Sequence, residues 1–202
     1  MTMLLLIRHA TCEQMSERLY GRTVTAPLSP VGREQAAQLA AQLSRDSLAA
    51  VYASPRERAR DTASAIASPH RLPVRIAHSL DEVDYGGWSG RTFRELDRDA
   101  GWRAWNRDRE SQVPPGGESI RAVQNRVLTQ LRALGRLHAG SRVALVSHAE
   151  VIRSALLALR GWSASRYHEI DIAPASVTTV FAHGADLELA PVDEKVRHGS
   201  TR

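Results

Sequence analysis

The sequence predicts an α/β protein, a three-layer α/β/α sandwich with a mainly parallel central sheet and a small helical lid. Short apolar runs fit for buried strands recur along the chain, and stretches of helical period follow most of them. That alternation is the signature of strands joined by crossover helices. Met3 to Ile7 is the first such run. Ser29-Pro30 then starts a helix, with Ser29 as N-cap, Pro30 in the first helical position, and Ala36, Leu39, Ala40 and Leu43 on one face. Ala49 to Ala53 reads as a second buried strand. Ser54-Pro55 opens the next helix, which carries Ala59, Thr62, Ala63 and Ile66 inward.

Val74 to Ala77 is a weaker third strand. Residues 83–116, rich in Gly, Trp and charge with two short amphipathic pieces, form the expected lid. Ser119 to Leu137 is a long helix presenting Val123, Val127, Leu131 and Leu134 to a core. Val143 to Val146 is the strongest strand and Val151 to Leu159 the helix after it. Val177 to Phe181 and Leu187 to Leu189 form a closing hairpin with Gly184 in its turn. Residues 1–192 are expected to make one domain, and 193–202 a polar, frayed tail.

At 202 residues and 43% hydrophobic the chain can bury a substantial core. No apolar run approaches the roughly 20 residues of a membrane span. The opening apolar run lacks a basic start and a small-residue cleavage site, so it reads as a strand and not a signal peptide. Cys12 is the sole cysteine, which excludes an internal disulfide and paired-cysteine metal sites; cytoplasmic residence is expected. The formal charge is +5, carried almost wholly by arginine, with Lys195 the one lysine. These arginines are scattered among acids, so a nucleic-acid partner is not expected. A few of them instead suit an anionic small molecule.

In open α/β sheets, ligands gather at the carboxyl ends of the strands. Arg8-His9 ends the first strand, Ser54 to Arg58 follows the second, and Ser147-His148 ends the strongest. Together these groups match the needs of phosphate-ester hydrolysis, one of the slowest uncatalysed reactions. Arg8 and Arg58 supply planar forks for phosphate oxygens. A neutral His9 can attack phosphorus. His148, if protonated, stabilises the transferring group. Glu82, where the chain leaves the third strand, is placed as general acid with a raised pKa. Each has a plainer alternative: a hydrogen-bonded structural histidine, a surface arginine, a solvated loop acid beside Asp81 and Asp84.

Beyond this chemistry, the motifs resemble those of the histidine phosphatase superfamily, the phosphoglycerate mutase-like proteins. Leu4-Leu5-Leu6-Ile7-Arg8-His9-Ala10 is similar to its strand-Arg-His-Gly motif. Pro27-Leu28-Ser29-Pro30-Val31-Gly32 with Gln35-Ala36 resembles its Pro-Leu-(Ser/Thr)-x-x-Gly-x-x-Gln-Ala segment. Ala53-Ser54-Pro55-Arg56-Glu57-Arg58-Ala59-Arg60-Asp61-Thr62-Ala63 resembles Ser-Pro-x-x-Arg-Ala-x-x-Thr-Ala and singles out Arg58. Glu82 through Gly90, Pro115-Gly116-Gly117-Glu118-Ser119 and Val146-Ser147-His148-Ala149 complete the set in the family's order.

The resemblance implies phosphorylation of His9, proton donation by Glu82, and a phosphate pocket of Arg8, Arg58 and His148. It also suggests a backbone contact to phosphate from Gly21, although the spacing is off by a residue. Ala10 and Ala149 replace customary glycines, Cys12 stands near a usual Ser or Thr, and Met15 replaces a customary phosphate-contacting Asn.

The short stretch between Glu82 and Pro114 looks like the phosphatase branch, nearest in size and layout to alpha-ribazole phosphatase-type members. Sugar-phosphate or phosphoglycerate-derived substrates come next. The presence of Glu82 speaks against members acting on phosphohistidine in signalling proteins. The expected activity is therefore a metal-independent phosphomonoesterase acting on a small phosphorylated metabolite, with no cofactor and no membrane partner, and with a homodimer left open. The alternatives are mutase-type phosphoryl transfer and a non-catalytic phosphate-binding relic. A metal hydrolase is disfavoured, because His9 and His148 lack companion ligands in sequence. In the lid, Trp88, Trp102, Trp105, Arg103 and Arg107 could stack on a substrate ring, but Trp102 and Trp105, three apart, more simply pin a lid helix to the body. Arg109 and the Ser111-Gln112 loop are further candidates for reaching substrate.

Overall fold

The computed structural model describes residues 1–13, 17–23 and 25–191. Met15 and the tail from Asp193 lie outside the described residues. A six-stranded sheet runs through the molecule in the order β3-β2-β4-β1-β5-β6. Its strands are β1 (Thr2–Arg8), β2 (Leu48–Ala53), β3 (Val74–Ile76), β4 (Arg142–Ser147), β5 (Val177–His183) and β6 (Asp186–Leu189). The pairs β3-β2, β2-β4 and β4-β1 are parallel, whereas β1-β5 and β5-β6 are antiparallel. The expected mainly parallel sheet is therefore present, with the hairpin added at one edge and Gly184 (φ +62°) in its turn.

Side-chain alternation divides the core in two. Leu4, Leu6, Val143 and Leu145 face one side and meet α5 (Ile120–Leu137) and α6 (Ala149–Leu159). Leu5, Ile7, Ala144 and Val146 face the other and meet α1 (Pro30–Leu43) and α2 (Glu57–Ala67). Strands buried on both faces explain why β1 and β4 read as continuous apolar runs. Ser29 caps α1 by accepting from the Gly32 amide at 3.0 Å, and Ser119 caps α5 in the same way through Ala122. A Cβ at Gly32 would lie 1.8 Å from the Thr11 carbonyl oxygen, so only glycine lets the loop after His9 pass the start of α1.

The start of α2 differs from expectation. The helix begins at Glu57, with Arg56 in the cap position and no side-chain cap. Ser54 lies ahead of the helix, its Oγ accepting from the Arg56 amide at 3.3 Å while its side chain also bonds His148 and Asp81 inside the protein. The lid holds the two predicted amphipathic pieces, α3 (Phe93–Leu96) and α4 (Ala100–Arg107). A 3-10 segment, Ala164–Glu169, was not anticipated. Among the described residues no helix is long and apolar enough to cross a membrane.

Candidate active site

Backbone pairing brings the polar clusters to one sheet edge. Arg8 pairs with Ser147 at the ends of β1 and β4, and Ala53 pairs with Val146. The His9 amide then donates to the Ser147 carbonyl and the Ser54 amide to the Val146 carbonyl, both at 2.9 Å. Residues 9, 54 and 148 are thus held by the sheet ladder and not by flexible loops.

At the centre, His9 is 4% exposed, Arg58 2% and His148 0%. The His9 Nδ1 lies 2.7 Å from the Ala10 carbonyl oxygen. A carbonyl accepts only, so Nδ1 carries the proton and Nε2 keeps its lone pair. Arg58 Nε donates to that lone pair at 3.2 Å, and its Nη2 donates to the Gly21 carbonyl at 3.1 Å. Gly21 therefore holds Arg58 through its carbonyl. Burial, and then the neighbouring Arg58, lowers His9 to a pKa of about 3. The imidazole is neutral across the ordinary working range.

His148 stands edge-on to His9, with ring centroids 5.2 Å apart. Its Nε2 is 2.7 Å from Ser54 Oγ, and that hydroxyl donates to Asp81 Oδ1 at 3.2 Å. Because the Ser54 proton is spent on Asp81, His148 Nε2 is the donor. Its Nδ1 then points a lone pair toward Glu82 Oε2, 3.5 Å away. Burial, then Arg58 and His9, pushes His148 well below its usual value. Both imidazoles are consequently neutral in this environment, and protonation of His148 would need an added negative charge beside Arg58.

Glu82 completes the cluster. Its Oε2 lies 3.7 Å from Arg58 Nη2, and its Oε1 accepts from the Val83 amide at 2.9 Å. Burial raises its pKa to about 7, against the opposing pull of Arg58 and the Val83 hydrogen bond. Arg8 donates through Nη1 to the Ile172 carbonyl at 2.5 Å and lines the same cleft. All six residues singled out in the sequence (Arg8, His9, Gly21, Arg58, Glu82 and His148) meet here, with five of them lining a cleft of about 250 Å³ and His148 directly behind His9 and Glu82.

Other members of the site were not visible as such in the sequence. Asp81 is held by Arg56 at 2.9 Å while it takes the Ser54 proton. Glu118, in the Pro-Gly-Gly-Glu-Ser segment, accepts from Arg22 at 2.6 Å, Arg126 at 2.7 Å and the Asp84 amide at 3.0 Å. It thereby clamps the segment bearing Glu82, and that motif was the available signal. Glu150 accepts from Arg109 at 2.7 Å, from Arg153 at 2.6 Å and from the Tyr167 hydroxyl. Arg109 lies between the Trp105 and Tyr167 rings, 3.8 and 3.4 Å from their centroids. Arg109 does line the cleft, whereas Arg103, Arg107, Ser111 and Gln112 are exposed. Trp105 is buried and packs against Trp88, Trp102 and Tyr85, which favours the pinning role for the lid tryptophans.

The chain is similar to known proteins over most of its length. The chain is 38% identical to Bifunctional protein Rv2228c of Mycobacterium tuberculosis over 91% of its own length, and it spans 52% of that relative, about half. It is 32% identical to Phosphoserine phosphatase 1 of Hydrogenobacter thermophilus, covering 89% of this chain and 86% of that one. It is 33% identical to the Adenosylcobalamin/alpha-ribazole phosphatase of Escherichia coli, covering 79% of each. The structure superposes on Bacillus stearothermophilus YhfR with a TM-score of 0.88 at 26% identity, covering 94% of this chain and 96% of the other. With residues 4–192 matching its pattern, the chain belongs to the Histidine phosphatase superfamily (branch 1).

Proposed function

We propose that the protein is a phosphomonoesterase acting on a small phosphorylated metabolite through a phosphohistidine on His9. The observation that carries this reading is the fixed tautomer of His9, whose Nε2 lone pair faces the Arg58 guanidinium 3.2 Å away. A phosphate bound by Arg8 and Arg58 takes over the Arg58 donors and frees that lone pair for in-line attack on phosphorus. The N–P bond forms as the ester P–O bond breaks, and Glu82, protonated in part near neutral pH, gives its proton to the leaving alcohol oxygen. Water then attacks the phosphohistidine. The P–N bond breaks, the water proton returns to Glu82, and inorganic phosphate leaves. His148, donating through Nε2 to Ser54, takes on Nδ1 the proton that a substrate bound as its monoanion brings, and the resulting imidazolium stabilises the charge on the transferring group, with Asp81 behind Ser54 to balance it.

Relatives named as phosphatases support hydrolysis over phosphoryl exchange. The test is phosphate release from p-nitrophenyl phosphate and a panel of small esters, with EDTA present, by the wild type and His9→Ala. Release by the wild type alone is expected. Release by both would remove His9 as nucleophile, and release by neither would favour a mutase or a phosphate-binding relic, which phosphoryl exchange with a bisphosphate separates.

A further inference from the structure

A proton donor has to be fixed in place without tying up the carboxyl that delivers the proton. Glu82 meets this need through its backbone. Its amide donates to Asp81 Oδ1 at 2.8 Å, and its carbonyl accepts from Arg22 Nε at 2.7 Å and from Arg126 Nη2 at 3.2 Å. The carboxyl accepts from the Val83 amide through Oε1, which leaves Oε2 facing Arg58 and His148.

The two arginines reach Glu82 from different places. Arg126 belongs to α5 and also donates to the Ser79 carbonyl at 2.7 Å, so it anchors the acid to the body of the protein. Arg22 instead follows Gly21, whose carbonyl holds Arg58. Its fork spans the gap from that arm to the segment of the acid. Nε meets the Glu82 carbonyl, Nη2 meets Glu118 at 2.6 Å, and Nη1 lies 3.6 Å from Asp84. Glu118 is itself paired with Asp84 through both backbone amides, one donating to its carboxylate and the other to the Asp84 carbonyl. One planar guanidinium therefore joins the arm that holds Arg58 to the segment that carries Glu82. An ion pair at a side chain 29% exposed contributes little by charge alone. Its role is geometric: a general acid must lie within hydrogen-bond reach of the leaving oxygen, and a misplacement of about 1 Å can cost on the order of 100-fold.

We propose that Arg22 is a positioning residue for Glu82, linking the arm that holds Arg58 to the segment of the proton donor so that phosphate binding and proton delivery keep their spacing. This deepens the phosphatase reading and rests on it.

Arg22→Ala leaves the arm tied by other bonds. Arg56 still donates to the carbonyl of residue 22, Arg58 to that of Gly21, and the Leu19 backbone still pairs with Gly90 and Arg91. Inhibition by vanadate is therefore expected to stay at the wild-type level. For an alkyl phosphate kcat is expected to fall by about 10–100-fold with little change in KM. Release from p-nitrophenyl phosphate, whose leaving group needs little protonation, should fall far less. Arg22→Lys keeps the charge but loses the planar fork, so it should show the same selective loss in smaller degree. Should the alanine variant not fold, Arg22→Lys is read by the same criteria. Equal loss on the two esters, weakened vanadate inhibition, or an alkyl-ester rate unchanged from wild type would each overturn the positioning role while leaving the phosphatase reading standing. Release from no ester by the wild type, p-nitrophenyl phosphate included, would overturn both.

Discussion

Replacing Glu82 by Gln removes a proton while leaving the shape of the site nearly unchanged. With a pKa of about 7, half of the Glu82 side chains are protonated at that pH. Each further pH unit cuts the acid form about tenfold. The second ionisation of a phosphate ester, near pH 6, is complete above 7, so a decline there belongs to the enzyme. For an alkyl phosphate, whose leaving alkoxide needs the proton, kcat/KM of the wild type is expected to fall with a slope of about −1 above pH 7. Glu82→Gln should lower it by about 10²–10⁴-fold at pH 6.5 and abolish the slope. For p-nitrophenyl phosphate, whose leaving group is stable as the anion, the loss should be under about tenfold. The assay is phosphate release from both esters between pH 5 and 9 for both proteins. Equal losses on the two esters, or a slope retained in the variant, would refute the assignment of Glu82 as proton donor. Stability supplies an independent check of the raised pKa. The folded value lies above the ordinary 4.5, so the carboxyl costs nothing below 4.5 and destabilises progressively up to about 7. The upper figure is about 3 kcal/mol. Denaturation at pH 5 and pH 8 should therefore show the wild type losing ground to Glu82→Gln as pH rises.

His9→Ala should abolish acid-labile phosphoenzyme, read by rapid quench, while the circular dichroism spectrum is kept; a trapped phosphoenzyme in that variant would place the nucleophile elsewhere. Arg58→Ala removes donors 2% exposed to solvent and should weaken inhibition by phosphate or vanadate by roughly 10–100-fold, since a charged hydrogen bond contributes about 1.5–3 kcal/mol. Unaltered inhibition constants would count against its place in the pocket. Ser54→Ala takes away the acceptor of His148 Nε2, and kcat should fall about tenfold or more with a smaller change in KM. Nitrogen NMR of His148 should show Nε2 protonated in the wild type and a tautomer mixture in the variant; an unchanged spectrum would dissolve the proposed link. Gly32→Ala forces a Cβ against the Thr11 carbonyl and should destabilise the fold by about 1–3 kcal/mol, seen as a Tm several degrees lower. A Tm within a degree of wild type would mean that this close approach relaxes freely.

Much of the architecture was written locally. The continuous apolar runs of β1 and β4, the Ser-Pro start of α1 and the serine cap of α5 are signals that a few residues carry by themselves, because burial on two faces and capping act over one or two turns. The functional groups were equally legible wherever a residue type at a strand end limits the chemistry, as with Arg8, His9 and His148. The start of α2 was misread for the complementary reason. Ser54-Pro55 is a sound local start and Ser54 Oγ does accept the Arg56 amide, but Ser54 also bonds His148 and Asp81, residues 94 and 27 positions away, and the helix itself begins only at Glu57.

The sequence by itself determined the alternating α/β layout and the set of titratable groups that reach one sheet edge, since both follow from periodicity and from which residues end each strand. Only the tertiary structure decided the protonation pattern: which nitrogen of each histidine holds its proton, that Glu82 is an acid near neutrality, and that Arg109 is spent on Glu150 and two aromatic rings. Those properties depend on desolvation and on hydrogen-bond partners supplied by distant segments. They do not exist until packing brings these segments within about 4 Å of one another, where the low local dielectric makes each partner decisive.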